Sequence, residues 1–71
     1  MKLKAGIYKH FKGNLYEVLD VARHSETEEE FVVYRPLDGD SGSWIRPLSM
    51  FDEIIEREGL KVKRFEFLKD S

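Results

Sequence analysis

The chain has 71 residues and no cysteine, so it forms one domain over residues 1–71 that neither disulfides nor a thiolate metal site can staple. Its 41% hydrophobic content, with five Phe, three Tyr and Trp44, must therefore supply the core. Twelve basic residues against fourteen acidic ones give a net charge of −2, which argues against broad nonspecific nucleic-acid binding.

The pattern along the chain predicts a mainly β domain. Lys2, Lys4, Lys9 and Lys12 precede the first acid, Glu17, and no apolar h-region follows Met1-Lys2-Leu3-Lys4, so no signal peptide is expected. Ile7 to Phe11 reads as a strand bounded by Gly6 and Gly13. Gly13-Asn14 is a hairpin turn signal, and Leu15 to Ala22 returns as a second strand. Glu26, Glu28, Glu29 and Glu30 form an acidic run, read as a solvated loop. Phe31 to Pro36 and Trp44 to Pro47 read as the third and fourth strands.

The period then changes. Ser49 and Asp52 resemble a capping box, and Met50, Phe51, Ile54 and Ile55 recur at helical spacing. A helix of two to three turns is therefore expected, stopped by Gly59. Alternation from Lys61 to Leu68 predicts a last strand with Phe65 and Phe67 on one face. Five short strands with one helix before the last point to a small curled sheet or barrel. The expected core is Ile7, Val18, Val21, Val32, Tyr34, Ile45, Leu48, Phe51, Ile54, Phe65 and Phe67.

The segments Gly6-Ile7-Tyr8-Lys9-His10-Phe11-Lys12-Gly13-Asn14-Leu15-Tyr16, Ala22-Arg23-His24-Ser25-Glu26-Thr27, Val32-Val33-Tyr34-Arg35 and Trp44-Ile45-Arg46-Pro47-Leu48 form a set. Met50-Phe51 and Arg64-Phe65-Glu66 complete it. The set resembles the small bacterial family catalogued as domain of unknown function 1653. The resemblance implies an SH3-like small barrel without an assigned activity. It also implies proteins that stand alone or sit beside Nudix-type hydrolase domains, which fits an accessory role.

The echo of Tyr34-Arg35-Pro36-Leu37 in Ile45-Arg46-Pro47-Leu48 carries the sharpest functional signal. A hairpin folded about Asp38 to Ser43 sets Arg35 opposite Arg46. Opposed like charges destabilise a strand pair, so such a pair calls for an internal carboxylate or an anionic ligand. Arginine binds carboxylate and phosphate through planar paired contacts and stacks on aromatic rings. The candidate binding surface is Arg35, Arg46, Trp44, Tyr34 and His24, and its ligand is an anionic small molecule or a protein carboxylate. The internal alternative pairs the arginines with Glu17, Glu26 or Glu66.

A small hydrolytic enzyme using His24, Ser25 and Glu26 is the competing class, and it needs a turn to bring neighbouring residues together. Trp44, Tyr8, Tyr16 and Phe11 beside Lys9 and Lys12 offer a third reading, a platform for nucleotides or single strands. His10 and His24 are the two histidines, and Asp38-Gly39-Asp40 lacks the Gly and Glu of a calcium loop, so no metal site is expected. No catalytic residue or cofactor is assigned. The expected protein is a cytoplasmic binding module, monomeric or weakly dimeric, with no stretch able to span a membrane.

Overall fold

The structure, a computed structural model, describes residues 3–39 and 42–71. It is mainly β, with 57% of the described residues in strands. Strands β1 (Gly6–His10), β2 (Leu15–Arg23), β3 (Glu30–Pro36) and β4 (Trp44–Pro47) lead into one helical turn, α1 (Leu48–Phe51). Strands β5 (Ile54–Arg57), β6 (Leu60–Lys63) and β7 (Phe65–Lys69) follow. Five strands form an antiparallel sheet in the order β4-β3-β2-β1-β7, and β5 and β6 pair separately. The sheet ends on β4 and β7 and does not close into a barrel.

The first hairpin forms where Gly13-Asn14 places it. The His10 N–H donates to the Asn14 carbonyl at 2.8 Å, and the Gly13 N–H returns a bond to His10 at 2.7 Å. Strand β2 carries a bulge between Val18 and Asp20, which leaves Leu19 42% exposed. Bulges bend and twist a sheet locally, and this one falls in the longest strand.

The inner face of the sheet alternates as a strand must. Tyr8, Val18, Val32, Tyr34 and Phe65 pack there with Phe51, which α1 contributes. Phe51 and Phe65 lie parallel at 5°, ring centroids 4.0 Å apart, while Tyr8 and Tyr34 present ring edges to Phe51 at 5.6 and 5.4 Å. Tyr8 joins this core rather than any surface platform. Burial pushes its phenol pKa up, with the Asp52 charge adding to the effect, and the hydroxyl donates to the Lys4 carbonyl at 2.6 Å.

Five expected core residues lie outside it: Ile7 is buried apart from the cluster, Val21 is half-buried, and Ile45 is 63% exposed, Ile54 60% and Phe67 37%. Ile45 follows from register, because it alternates with the inward Trp44 and Arg46. Ile54 follows from secondary structure. The expected helix stops after one turn, and Ser49 lies within it rather than capping it, since its first residue is Leu48. Asp52 closes the turn by donating its N–H to the Leu48 carbonyl at 2.9 Å.

Ile54 to Lys63 is instead a tight hairpin. Arg57 faces Leu60 across a two-residue turn, Glu58-Gly59, with φ of 63 for Glu28 elsewhere and 53 and 79 here. Two positive φ values are what a type I′ turn requires, so Gly59 turns a ribbon rather than ending a helix. Arg64 then makes the corner that splits the expected last strand into β6 and β7. Its N–H donates to the Glu53 carbonyl at 2.9 Å, its carbonyl accepts the Phe11 N–H at 3.0 Å, and its Nε donates to Glu53 Oε1 at 3.1 Å.

Candidate functional site

The β3–β4 register decides which arginine belongs to a site. Tyr34 pairs with Trp44, Val33 with Ile45, Val32 with Arg46 and Phe31 with Pro47. Arg46 thus lies opposite Val32, three positions along β3 from the expected Arg35. The offset is odd, and side chains alternate, so Arg35 and Arg46 stand on opposite faces. The intervening turn includes Asp40 and Ser41, which lie outside the described residues.

Arg35 occupies the outer face and is internally compensated. It sits directly across the ladder from Glu17 and donates to Glu17 Oε1 through Nε at 3.0 Å and Nη2 at 2.7 Å. Of the carboxylates considered as partners, Glu17 is the one beside it.

Arg46 occupies the inner face with aromatic company. Its Nε donates to the Tyr34 hydroxyl at 3.3 Å, and its guanidinium carbon lies 5.7 Å from the centre of the Phe65 ring. Among the described residues no carboxylate stands within ion-pair distance of it. Tyr34, only 3% exposed, holds the guanidinium in place rather than offering a surface of its own. Trp44, 43% exposed, meets Tyr34 edge-on at 6.0 Å and lies 6.5 Å from Tyr16.

Three residues outside the expected set complete this rim. His10, from the end of β1, sits 4.9 Å from Phe65 and 6.4 Å from Tyr16, ring to ring. Its Nδ1 accepts the Lys12 N–H at 3.2 Å, so its neutral form carries its proton on Nε2. Burial lowers the His10 pKa, and the charges of Arg64, Lys12 and Arg46 lower it further. The alternation of Tyr8 with His10, facing Tyr16 across the first hairpin, was the available signal for this placement.

His24 stands apart from the rim, in the turn after β2. Its Nδ1 accepts the N–H groups of Glu26 at 3.1 Å and Thr27 at 3.3 Å, and its ring lies 6.3 Å from Phe31. Its backbone N–H donates to Glu29 at 2.8 Å, and its carbonyl accepts the Glu28 N–H at 2.9 Å. With Nδ1 committed to backbone donors, the Glu26 carboxylate cannot orient the ring through an Nδ1 proton, as a catalytic triad would need. The Arg23-to-Thr27 run builds a turn. Among the described residues no group of three or more His, Asp or Glu stands together as a metal cluster. Nor is any helix among them long and apolar enough to cross a membrane.

What remains together on one face is a half-buried guanidinium with no carboxylate beside it among the described residues, walled by Trp44, Tyr34, Phe65 and Tyr16 and flanked by His10. Such a guanidinium can take a carboxylate or phosphate in plane while its faces rest on aromatic rings.

Comparison with known proteins gives a family. No curated protein matches the chain. A crystal structure of a DUF1653 protein from Bordetella bronchiseptica superposes with a TM-score of 0.85 at 31% identity, covering 97% of this chain and 91% of that one. The model of the family described as "Protein of unknown function (DUF1653)" matches residues 6–67, and the chain belongs to that family.

Proposed function

We propose that this protein is a non-catalytic binding module whose inner-face rim, centred on Arg46, receives the anionic group of a small molecule or a protein carboxylate. The observation that carries the reading is the contrast between the two arginines. Arg35 has Glu17 at 2.7 Å, whereas Arg46 has a phenol, a ring face and no carboxylate among the described residues. A partly buried charge without a counterion loses solvation that a ligand anion restores. Trp44 supplies exposed aromatic area at the same rim, suited to the remainder of a ligand. The balanced, highly charged and cysteine-free sequence supports a cytoplasmic setting for a monomer or weak dimer.

The test is a thermal-shift screen of carboxylate and phosphate metabolites and of acidic peptides. Wild type, Arg46→Ala and Arg35→Ala would be compared. A ligand at about a hundred times its dissociation constant adds roughly 2.7 kcal/mol, several degrees in a domain this small. The reading expects a shift that Arg46→Ala abolishes and Arg35→Ala preserves. A ligand whose shift survives Arg46→Ala would place its site elsewhere and reject this one.

A further inference from the structure

A second concentration of positive charge lies beyond His10 from the Arg46 rim, and it arises from the hairpin that replaced the expected helix. The Glu58-Gly59 turn sets Arg57 at the end of β5 and Lys61 and Lys63 two residues apart on β6. Arg57 fixes this ribbon to the sheet. Its Nη1 donates to the Phe11 carbonyl at 3.4 Å, and its guanidinium carbon lies 5.4 Å from the Phe11 ring centre. Between the ribbon and the β1–β7 ladder opens a cleft of about 480 Å³, within the size range of small-molecule sites.

Lys9, Arg57, Lys61 and Lys63 line this cleft with His10, against the single carboxylate of Glu66. Lys63 has Asp52 at 3.8 Å. Lys9, Arg57 and Lys61 have no carboxylate within ion-pair distance among the described residues, although Lys9 faces Glu66 across the β1–β7 ladder and Lys61 faces Glu56 across the β5–β6 pair. Cations confined around one cleft repel each other over less than a Debye length and focus a positive potential into it. An anion of several charges relieves that repulsion, and both lysine and arginine are phosphate ligands. The faces of Phe11 are already taken, with Arg57 and the His10 ring, 4.4 Å away, against it. The cleft therefore offers charge rather than a stacking surface, and the recognised group is phosphate rather than base.

We propose that the cleft between the β5–β6 hairpin and the β1–β7 ladder binds the diphosphate group of a small organic phosphate. Lys9, Arg57 and Lys61, without an ion pair among the described residues, with Lys63 beside them, match the roughly three negative charges that a diphosphate carries at neutral pH. The cleft adjoins the Arg46 rim through His10, but its cations are other residues and the proposal does not depend on the reading given there.

The test is calorimetric titration of the full chain with inorganic pyrophosphate, inorganic phosphate, ADP and an oligothymidylate. Wild type, Lys9→Gln/Lys61→Gln and Arg46→Ala would be compared. All the substituted lysines are exposed, and circular dichroism would verify that each variant is folded. The expected result is pyrophosphate or ADP binding, at least tenfold tighter than phosphate. It should weaken tenfold or more in the double-lysine variant and with added salt, and persist in Arg46→Ala. ADP tighter than pyrophosphate would identify a nucleotide source; equal affinities would identify the free diphosphate group. Saturation should also raise the His10 titration midpoint seen by NMR, because a bound anion offsets Arg64, Lys12 and Arg46, the charges that lower it, with Glu53 already on Arg64 and Glu66 lining the same cleft. Absence of binding, or binding unchanged in the double-lysine variant, would overturn the proposal. So would an oligothymidylate that binds tighter than ADP, which would point to an extended strand.

Discussion

Glu17 and Arg35 face each other across the β2–β3 ladder, and a single carboxylate oxygen of Glu17 receives both Nε and Nη2 of Arg35, at 3.0 and 2.7 Å. The Glu17 side chain is 19% exposed and that of Arg35 43%, so solvent screens the pair only in part. A double-mutant cycle with Glu17→Gln and Arg35→Met should give a coupling of about 0.5–1 kcal/mol in urea unfolding, at the upper end for cross-strand ion pairs. Zero coupling would mean that the two side chains do not hold one another in solution, and Arg35 would return as a candidate ligand.

Phe51 is the one buried side chain that α1 contributes, and it is 1% exposed. Its parallel contact with Phe65 joins the helical turn to the sheet. Phe51→Ala should cost about 3–5 kcal/mol, a large share of the total for a domain of this size. Phe51→Leu keeps most of the volume and should cost about 1–1.5 kcal/mol. Urea midpoints would measure both. A loss below about 1 kcal/mol for the alanine variant would contradict the placement of Phe51 at the centre of the core.

Gly6 begins β1 at φ +146, and a Cβ there would meet the Lys69 carbonyl oxygen at 2.6 Å and a Phe67 ring carbon at 2.8 Å. Backbone cannot yield as a flexible side chain can. Gly6→Ala should therefore cost about 1–3 kcal/mol through strain and a displaced β7. Gly13→Ala is the comparison: its φ is +106 but a Cβ there meets nothing within 4 Å, so it carries the conformational penalty alone, about 1 kcal/mol. If the two variants lose equal stability, the close approach of β1 to β7 is not as described.

Local patterns in the sequence announced the strands around the first hairpin and Val32, Tyr34 and Phe65 as core, because alternation and glycine placement act within a few residues. Two features were not legible for that reason. Ile54-Ile55 continued the spacing of Met50-Phe51, and a short apolar run satisfies helix and strand alike. Only the left-handed Glu58-Gly59 pair marked a ribbon, and Gly59 reads equally well as a helix stop. The register of β3 on β4 depends on how the residues after Leu37 turn, and a shift of odd length exchanged the faces of Arg35 and Arg46. The second half of the rim, His10, Tyr16 and Phe65, comes from three other strands. Its assembly depends on tertiary pairing, in particular β1 with β7.

His10 makes the rim sensitive to acid. Its folded pKa lies below the ordinary value near 6.5, first because burial penalises the charged ring and then because Arg64, Lys12 and Arg46 repel the added proton. The unfolded chain therefore takes up this proton before the folded one does. Stability from the neutral imidazole is complete above the unfolded pKa and declines as pH falls from about 6.5 toward the lower folded pKa. Urea unfolding at stepwise pH from about 7.5 to 5.5 should show falling stability in wild type. His10→Gln, which retains a hydrogen-bonding side chain but does not titrate, should flatten that slope. A slope that the substitution leaves unchanged would move the acid sensitivity away from His10 and the cations around it.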